Sequence, residues 1–255
     1  MSKTALINAF EIAPDGTAHP VGWDALQSGL PPIAEGNYLW VHLDWMGDGV
    51  RDWLITVAGI DATITDTLST RGTRPAVFFY DPGYSLNLRG VNLNAENDPA
   101  DMISVRFWVT NNMVITLRNQ PLKAFDDMRA AIADHKAPNS VDDFVLTVAE
   151  RLAFRVENVV RGMEEDVEAI EDDQETVAEG KTLALRKRGS DIRHRLSRLR
   201  RHLGPQRDAL AHYVEQKPVW SDKRFKRRAR ALTAGPRLSA PPAPSRRVAP
   251  APARR

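Results

Sequence analysis

Six stretches in the first 120 residues cluster β-branched and aromatic residues at the short lengths and with the alternation that strands require: TALINAFEI, YLWVHLDW, AVFFY, YSLNLRGVNLN, ISVRFWVT and MVITLRN. Turn-forming residues separate them, among them Pro14-Asp15-Gly16, Asp81-Pro82-Gly83 and Asn111-Asn112. The pattern predicts an α/β or α+β domain over residues 1–120, built on a mixed sheet of about six or seven strands with flanking helices. Between the second and third stretches lies VRDWLITVAGIDATITDTLST, where Trp53, Leu54, Val57, Ile60 and Ile64 follow helical spacing. Gly59 and several Thr weaken the propensity, so one or two short helices against the sheet are expected there.

From residue 121 the period changes. PLKAFDDMRAAIADHK reads as a short helix, closed by Pro138, and Ser140 with Asp143 supplies an S-x-x-D start signal for the next. Val145, Val148, Leu152, Val156, Val159, Met163, Val167 and Ile170 then form one unbroken apolar stripe, the mark of a long helix. Glu179-Gly180 is a breaker that permits a reversal, and Leu185, Ile192, Leu196, Leu199 and Leu203 line one face of a return helix. Residues 121–216 are therefore expected to form a helical hairpin region of the same domain.

Charge sharpens this picture. Residues 1–180 hold 13 basic and 29 acidic residues, whereas 181–255 hold 22 basic and 4 acidic. RLRRHLGPQRDAL at 198–210 and SDKRFKRRARAL at 221–232 suggest a nucleic-acid surface at first sight. Folding the two long helices back at Gly180, however, sets Glu164, Glu165, Asp166, Glu168, Glu171, Asp172 and Asp173 beside Arg186, Lys187, Arg188, Arg193 and Arg195. Internal neutralisation is then expected, at about 0.2–1 kcal/mol per exposed pair, with the apolar seam supplying most of the stability. The absence of Cys excludes disulfides and thiol catalysis. No apolar run approaches the roughly 18 residues of a membrane span, and MSKTALINAFEI does not read as a signal peptide, so a chain that stays in the cytoplasm is expected.

Candidate chemistry is sparse. Glu165, Glu168 and Asp172 fall at i, i+3 and i+7 on one helix face and could offer oxygen ligands to Mg²⁺ or another hard divalent ion. A solvated face paired with the basic helix explains them equally in chemical terms and is the favoured reading. Zinc would draw on imidazole, but His19, His42, His135, His194, His202 and His212 form no close pair. His42 and Asp44 alternate on one side of a strand, where a packed, hydrogen-bonded histidine is the favoured reading, and Trp40 is expected in the core. There is no nucleophile elbow, phosphate-binding loop or dinucleotide fingerprint. A non-enzymatic chain without an organic cofactor is expected.

The order and spacing of YLWVHLDW, TRPAVFFY, ISVRFWVTNNMVITLRN, ERLAFRVENVV and LRRHLGPQRDAL followed by EQKPVW resemble the CorA-type divalent-cation transporter family, closest to its zinc-transporting ZntB branch. The resemblance covers roughly residues 5–228. It implies the cytoplasmic domain of a homopentamer at the inner membrane, with copies of itself as partners and Zn²⁺ or Mg²⁺ as the transported or regulatory ion. It also implies that Pro205 marks a bend or break, that residues 217–228 begin a long stalk helix, and that two C-terminal membrane helices with a Gly-Met-Asn-type signature follow. The sequence departs there. Residues 229–255 read as a disordered or frameshifted tail, since 17 of the 22 residues from 234 to 255 are Ala, Pro or Arg. Without those helices the chain is expected not to transport. The alternative is a soluble binding module whose basic C-terminal arm contacts nucleic acid or anionic lipid; a metal-sensing domain without a pore is a third reading.

Overall fold

The computed structural model describes residues 5–70, 72–176, 182–216, 220–221 and 223–233. Its sheet contains β1 (Leu6–Ile12), β2 (Ala18–Pro20), β3 (Tyr38–Asp44), β4 (Ala76–Phe79), β5 (Tyr84–Gly90), β6 (Ile103–Val109) and β7 (Met113–Arg118). Their spatial order is β2-β1-β3-β7-β6-β5-β4. β3 and β7 run parallel, with Trp40 opposite Val114 and His42 opposite Thr116; every other neighbouring pair is antiparallel. The expected mixed sheet is therefore observed. β2 adds a strand the hydrophobic pattern does not show, because three partly exposed residues ending in proline carry no alternation.

The helices are α1 (Trp23–Gln27), α2 (Val50–Thr56), α3 (Ala62–Ser69), α4 (Lys123–Ala133), α5 (Val141–Thr176), α6 (Thr182–Gln216) and α7 (Lys223–Thr233). β3 shows how the layers form. Its alternate residues Tyr38 and Trp40 join Phe107, Phe125, Phe144 and Tyr213 in a core between the sheet and α4 to α7. Leu39, Val41 and Leu43 join Trp53, Leu54, Ile115 and Leu117 in a second core beneath α1 to α3. A strand that feeds both cores must be apolar on both faces, which is why YLWVHLD is almost entirely buried.

α5 starts where the S-x-x-D signal places it: Ser140 Oγ accepts from the Asp143 N–H at 3.2 Å, and Asp143 Oδ2 accepts from the Asn139 N–H at 3.2 Å. Its first half closes on the sheet at Gly90. A Cβ at that position would lie 2.7 Å from Leu152 Cδ2 and 2.9 Å from Leu122 Cδ2, so only glycine allows the approach. Beyond the sheet, Val156, Met163 and Ile170 of α5 bury with Leu185, Ile192 and Leu199 of α6 in a third cluster. The expected antiparallel seam is present, except that Val167 is 37% exposed. The reversal expected at Glu179-Gly180 lies outside the described residues.

Two expectations for the C-terminal part need correction. Of the bend or break expected at Pro205, the break is absent: α6 continues through that residue. The missing donor and ring clash, which cost about 3 kcal/mol in an isolated helix, are offset because the next turns are held by the sheet. Gln206 Oε1 accepts the Arg89 N–H at 2.6 Å, and Leu210 and Tyr213 are buried in the sheet core. The helix after α6 begins at Lys223 and extends past residue 228 to Thr233, because Phe225, Ala229 and Leu232 pack into that same core. The tail from 234 to 255 and residues 217–219 and 222 of the expected stalk start lie outside the described residues.

The α5–α6 seam should dominate the stability of the hairpin. Leu199→Ala, at a fully buried position, is expected to cost about 2–5 kcal/mol. Val167→Ala on the exposed side should stay within about 0.5 kcal/mol. Thermal and urea denaturation of the two variants measures the contrast.

Candidate functional site

The carboxylates singled out as possible metal ligands lie on the outer face of α5. Glu165, Glu168 and Asp172 are all exposed, as are their acidic neighbours Glu164, Asp166, Glu171 and Asp173. Among the described residues no group of three or more His, Asp or Glu is close enough together to hold a metal ion. The helical spacing is present, but a single exposed face supplies ligands from one side.

The expected charge pairing is redistributed. Arg188 Nη1 lies 3.4 Å from Asp173 Oδ2, an ion pair of the anticipated kind between two half-exposed side chains. Arg195, expected beside α5, turns instead to the β5–β6 connection, where its Nε is 3.2 Å from Asp98 Oδ2. Arg198 follows it, binding Asp98 and, at 2.6 Å, Asp101 Oδ1. Among the described residues no ion pair joins Glu164, Glu165, Asp166 or Glu168 to α6. The cause is geometric: with Met163 and Ile170 in the seam, Glu165 and Glu168 fall on roughly the opposite side of α5, while Glu164 and Asp166 flank the seam in exposed positions. Equal distance from a turn brings backbones together but does not choose faces.

α7 is clamped by charge as well as by packing. Arg228 donates from Nε to Glu150 Oε1 at 3.0 Å and from Nη2 to Glu150 Oε2 at 2.6 Å, a bidentate fork, and also binds Asp143 and Thr147. All three partners lie on the first turns of α5, so Arg228 ties the last described helix to the stretch where α5 meets the sheet.

His42 is a core histidine. It is 1% exposed, its ring is 4.2 Å from that of Phe125, and both nitrogens are engaged. Arg118 Nε donates to His42 Nε2 at 2.9 Å, which leaves the proton on Nδ1 to be donated to Thr116 Oγ1 at 2.7 Å. Trp40 Nε1 donates to the same hydroxyl at 2.9 Å. Burial, followed by the charges of Arg118 and Arg129, holds the imidazole well below its ordinary value of 6.5 despite the opposing Thr116 contact. Asp44 does not share a ligand site with it: the ring nitrogens are taken by Thr116 and Arg118.

The residues that sequence patterning missed are two arginines inside strands. Arg106 of β6 is 3% exposed; its Nη2 donates to the Thr70 carbonyl at 2.5 Å and its guanidinium sits 5.1 Å from the centre of the Trp45 ring. Burial, then the charge of Arg89, brings its pKa down to about 10. Arg89 of β5 donates from Nη1 to the Met102 carbonyl and from Nη2 to the Thr73 carbonyl, each at 2.9 Å. The available signal was a lone cation at an alternate position of an otherwise apolar strand.

A mixed seven-stranded sheet with helices on both faces and a long antiparallel hairpin beyond it defines a domain class shared with solved cation-transporter domains. The chain belongs to the family of CorA-like Mg²⁺ transporter proteins, which matches residues 35–235. It is 32% identical over 185 residues to the divalent cation transporter CmaX of Pseudomonas aeruginosa, covering 71% of this chain and 54% of CmaX. It is 25% identical over 224 residues to the zinc transport protein ZntB of Pectobacterium atrosepticum, covering 86% of this chain and 67% of that protein. A full-length CmaX structure superposes with a TM-score of 0.82 at 28% identity, covering 92% of this chain and 71% of CmaX. The ZntB cytoplasmic domain of Vibrio parahaemolyticus shares the fold, with a TM-score of 0.74 at 22% identity, and is covered over 89% of its length and 92% of this chain. The sequence match to CmaX thus spans little more than half of that protein's length. Among the described residues no helix is long and apolar enough to cross a membrane.

Buried His42 and half-buried His202 predict a pH signature. His42 stays neutral in the folded chain where an unfolded histidine would bind a proton, so protons favour unfolding. Its contribution is complete above pH 6.5 and shrinks as pH falls below that value. His202, lowered to about 4 by burial and then by Arg89, Arg201 and Arg74, acts in the same direction. The thermal midpoint should fall from pH 6.5 toward the carboxylate range, less steeply in His42→Gln and less again in His42→Gln/His202→Gln. Equal slopes in all three proteins would refute the assignment.

Proposed function

We propose that this chain is the cytoplasmic, non-catalytic domain of a divalent-cation transporter of the inner membrane, and that its intact form moves Zn²⁺ as a homopentamer. The observation that carries this reading is the family match over residues 35–235, combined with a fold that extends the resemblance across 92% of the chain. The zinc preference rests on the likeness to ZntB. The domain contributes a rigid sheet core, a protruding hairpin and a clamped α7 from which further chain is presented; ion passage belongs to the portion that relatives such as CmaX contain beyond the matched length. The exposed carboxylates of α5 serve solubility and partial charge balance in this reading, with Glu165, Glu168 and Asp172 a weaker candidate for regulatory ion contact. The basic-arm alternative falls on residues 234–255, outside the described region, while Arg195 and Arg198 are already matched by Asp98 and Asp101.

A chimera tests the reading. Residues 1–235, which keep β1 and β2 in the sheet, joined to the part of CmaX that the match leaves uncovered should assemble as a pentamer and move Zn²⁺ into proteoliposomes faster than Mg²⁺. A chimera that inserts and folds yet moves neither ion, alongside active CmaX, would refute it. The chain by itself should sediment as a monomer or weak associate at micromolar concentration, with little response to Zn²⁺ or Mg²⁺. A metal-driven pentamer abolished by Glu165→Gln with Asp172→Asn would instead make the acidic face a regulatory cation site.

A further inference from the structure

Between the β5–β6 connection and the middle of α6 lies a cavity of about 310 Å³. One wall is cationic, formed by Arg89, Arg198, Arg201 and His202; the other is formed by Ala100, Met102 and Asp101. Three guanidiniums therefore face one carboxylate. Arg89 is oriented by two backbone carbonyls, which fix its position without neutralising it. Arg89 Nε and His202 Nδ1 are buried and meet no hydrogen-bond partner among the described residues. Arg201, and Arg74 whose charge also reaches His202, have no carboxylate within ion-pair distance among the described residues. Arg198 is the exception, held by Asp98 and Asp101. The consequence is a concave site with an uncompensated positive field; burial and then the charges of Arg89, Arg201 and Arg74 disfavour protonation of His202, and burial and then the charge of Arg201 lower Arg89 from its ordinary value.

We propose that this cavity binds a small soluble phosphate monoester, its phosphoryl oxygens received by Arg201 and Arg89 and its organic part lying against Met102 and Ala100. A cation is repelled by such a lining. A bare halide leaves most of a cavity of this size unfilled, since pockets for organic ligands begin at about 300 Å³. A multi-oxygen dianion can take the open fork of Arg201 with one pair of oxygens and turn another toward the cationic Arg89, which is the geometry guanidinium groups favour. The site also gives a use to the basic stretch RLRRHLGPQRDAL that hairpin packing does not explain: Leu199 and Leu203 face the seam, whereas Arg198, Arg201 and His202 face the cavity. The proposal is independent of the transport reading, and its test involves no transport.

The full chain is titrated with inorganic phosphate and with adenosine monophosphate, and sodium chloride at matched ionic strength serves as the control. Both phosphates should raise the thermal midpoint in proportion to occupancy and move the His202 imidazole resonances. Arg201→Ala, an exposed position that leaves the fold intact by circular dichroism, should weaken binding by at least about tenfold. Arg207→Ala, on the same helix but engaged with Asp208, should leave it unchanged. The proposal is overturned if chloride reproduces the effect, if neither phosphate binds, or if Arg207→Ala costs as much as Arg201→Ala. It is also overturned if Arg201 is needed for retention on phosphatidic acid vesicles or for self-association while soluble phosphates have no effect.

Discussion

The structure is governed by the length of α5. At 36 residues it extends about 54 Å, and the sheet can cover only its first half. The sheet accepts that half at Gly90, where the lack of a side chain lets Leu152 and Leu122 come close. The second half would leave Met163 and Ile170 in water if α6 did not return along it. α6 then continues past its own proline to reach the sheet again, where Tyr213 meets Tyr84 with their hydroxyls 2.6 Å apart. α7 closes the arrangement through Phe225 and Arg228. Each C-terminal element covers apolar surface that α5 would otherwise expose.

Much of this was legible in the chain. Strands β1 and β3 to β7, the long stripe of α5 and the leucine face of α6 follow from periodicity, because those segments are long enough for a pattern to be counted. α1 and β2 were not, since five and three residues fall below the length at which any period can be read. Pro205 shows the opposite failure. Its local preference is clear, and tertiary contacts at Gln206, Leu210 and Tyr213 override it. The end of α7 escaped for the same reason: Ala229 and Leu232 are held by packing partners far away in sequence.

Charge was less legible than hydrophobicity. An apolar residue needs burial anywhere in a core, so counting suffices, whereas a charged residue needs a particular partner at a particular angle. Sequence distance placed Arg195 beside α5, but its side chain leaves the helix toward Asp98, almost a hundred residues earlier. His42 was correctly expected in the core, yet nothing in YLWVHLDW indicates that Thr116 and Arg118 will complete its hydrogen bonds. Those contacts exist because β3 and β7 pair in parallel register. Arg89 and Arg201 are likewise remote in the chain and become neighbours only when α6 crosses the sheet.

The buried positions of the hairpin recur at every seventh residue on both helices: 156, 163 and 170 on one, 185, 192 and 199 on the other. A straight α-helix drifts about 20° per seven residues against such a repeat, so the two arms must coil gently left-handed around each other. This imposes a rule on changes of length. One residue inserted into either arm rotates every later layer by about 100° and turns its apolar positions toward solvent, whereas seven residues added to both arms merely extend the same coil by one layer. The reach of the hairpin beyond the sheet is thus quantised, and it can change between related chains in whole layers without disturbing the domain beneath.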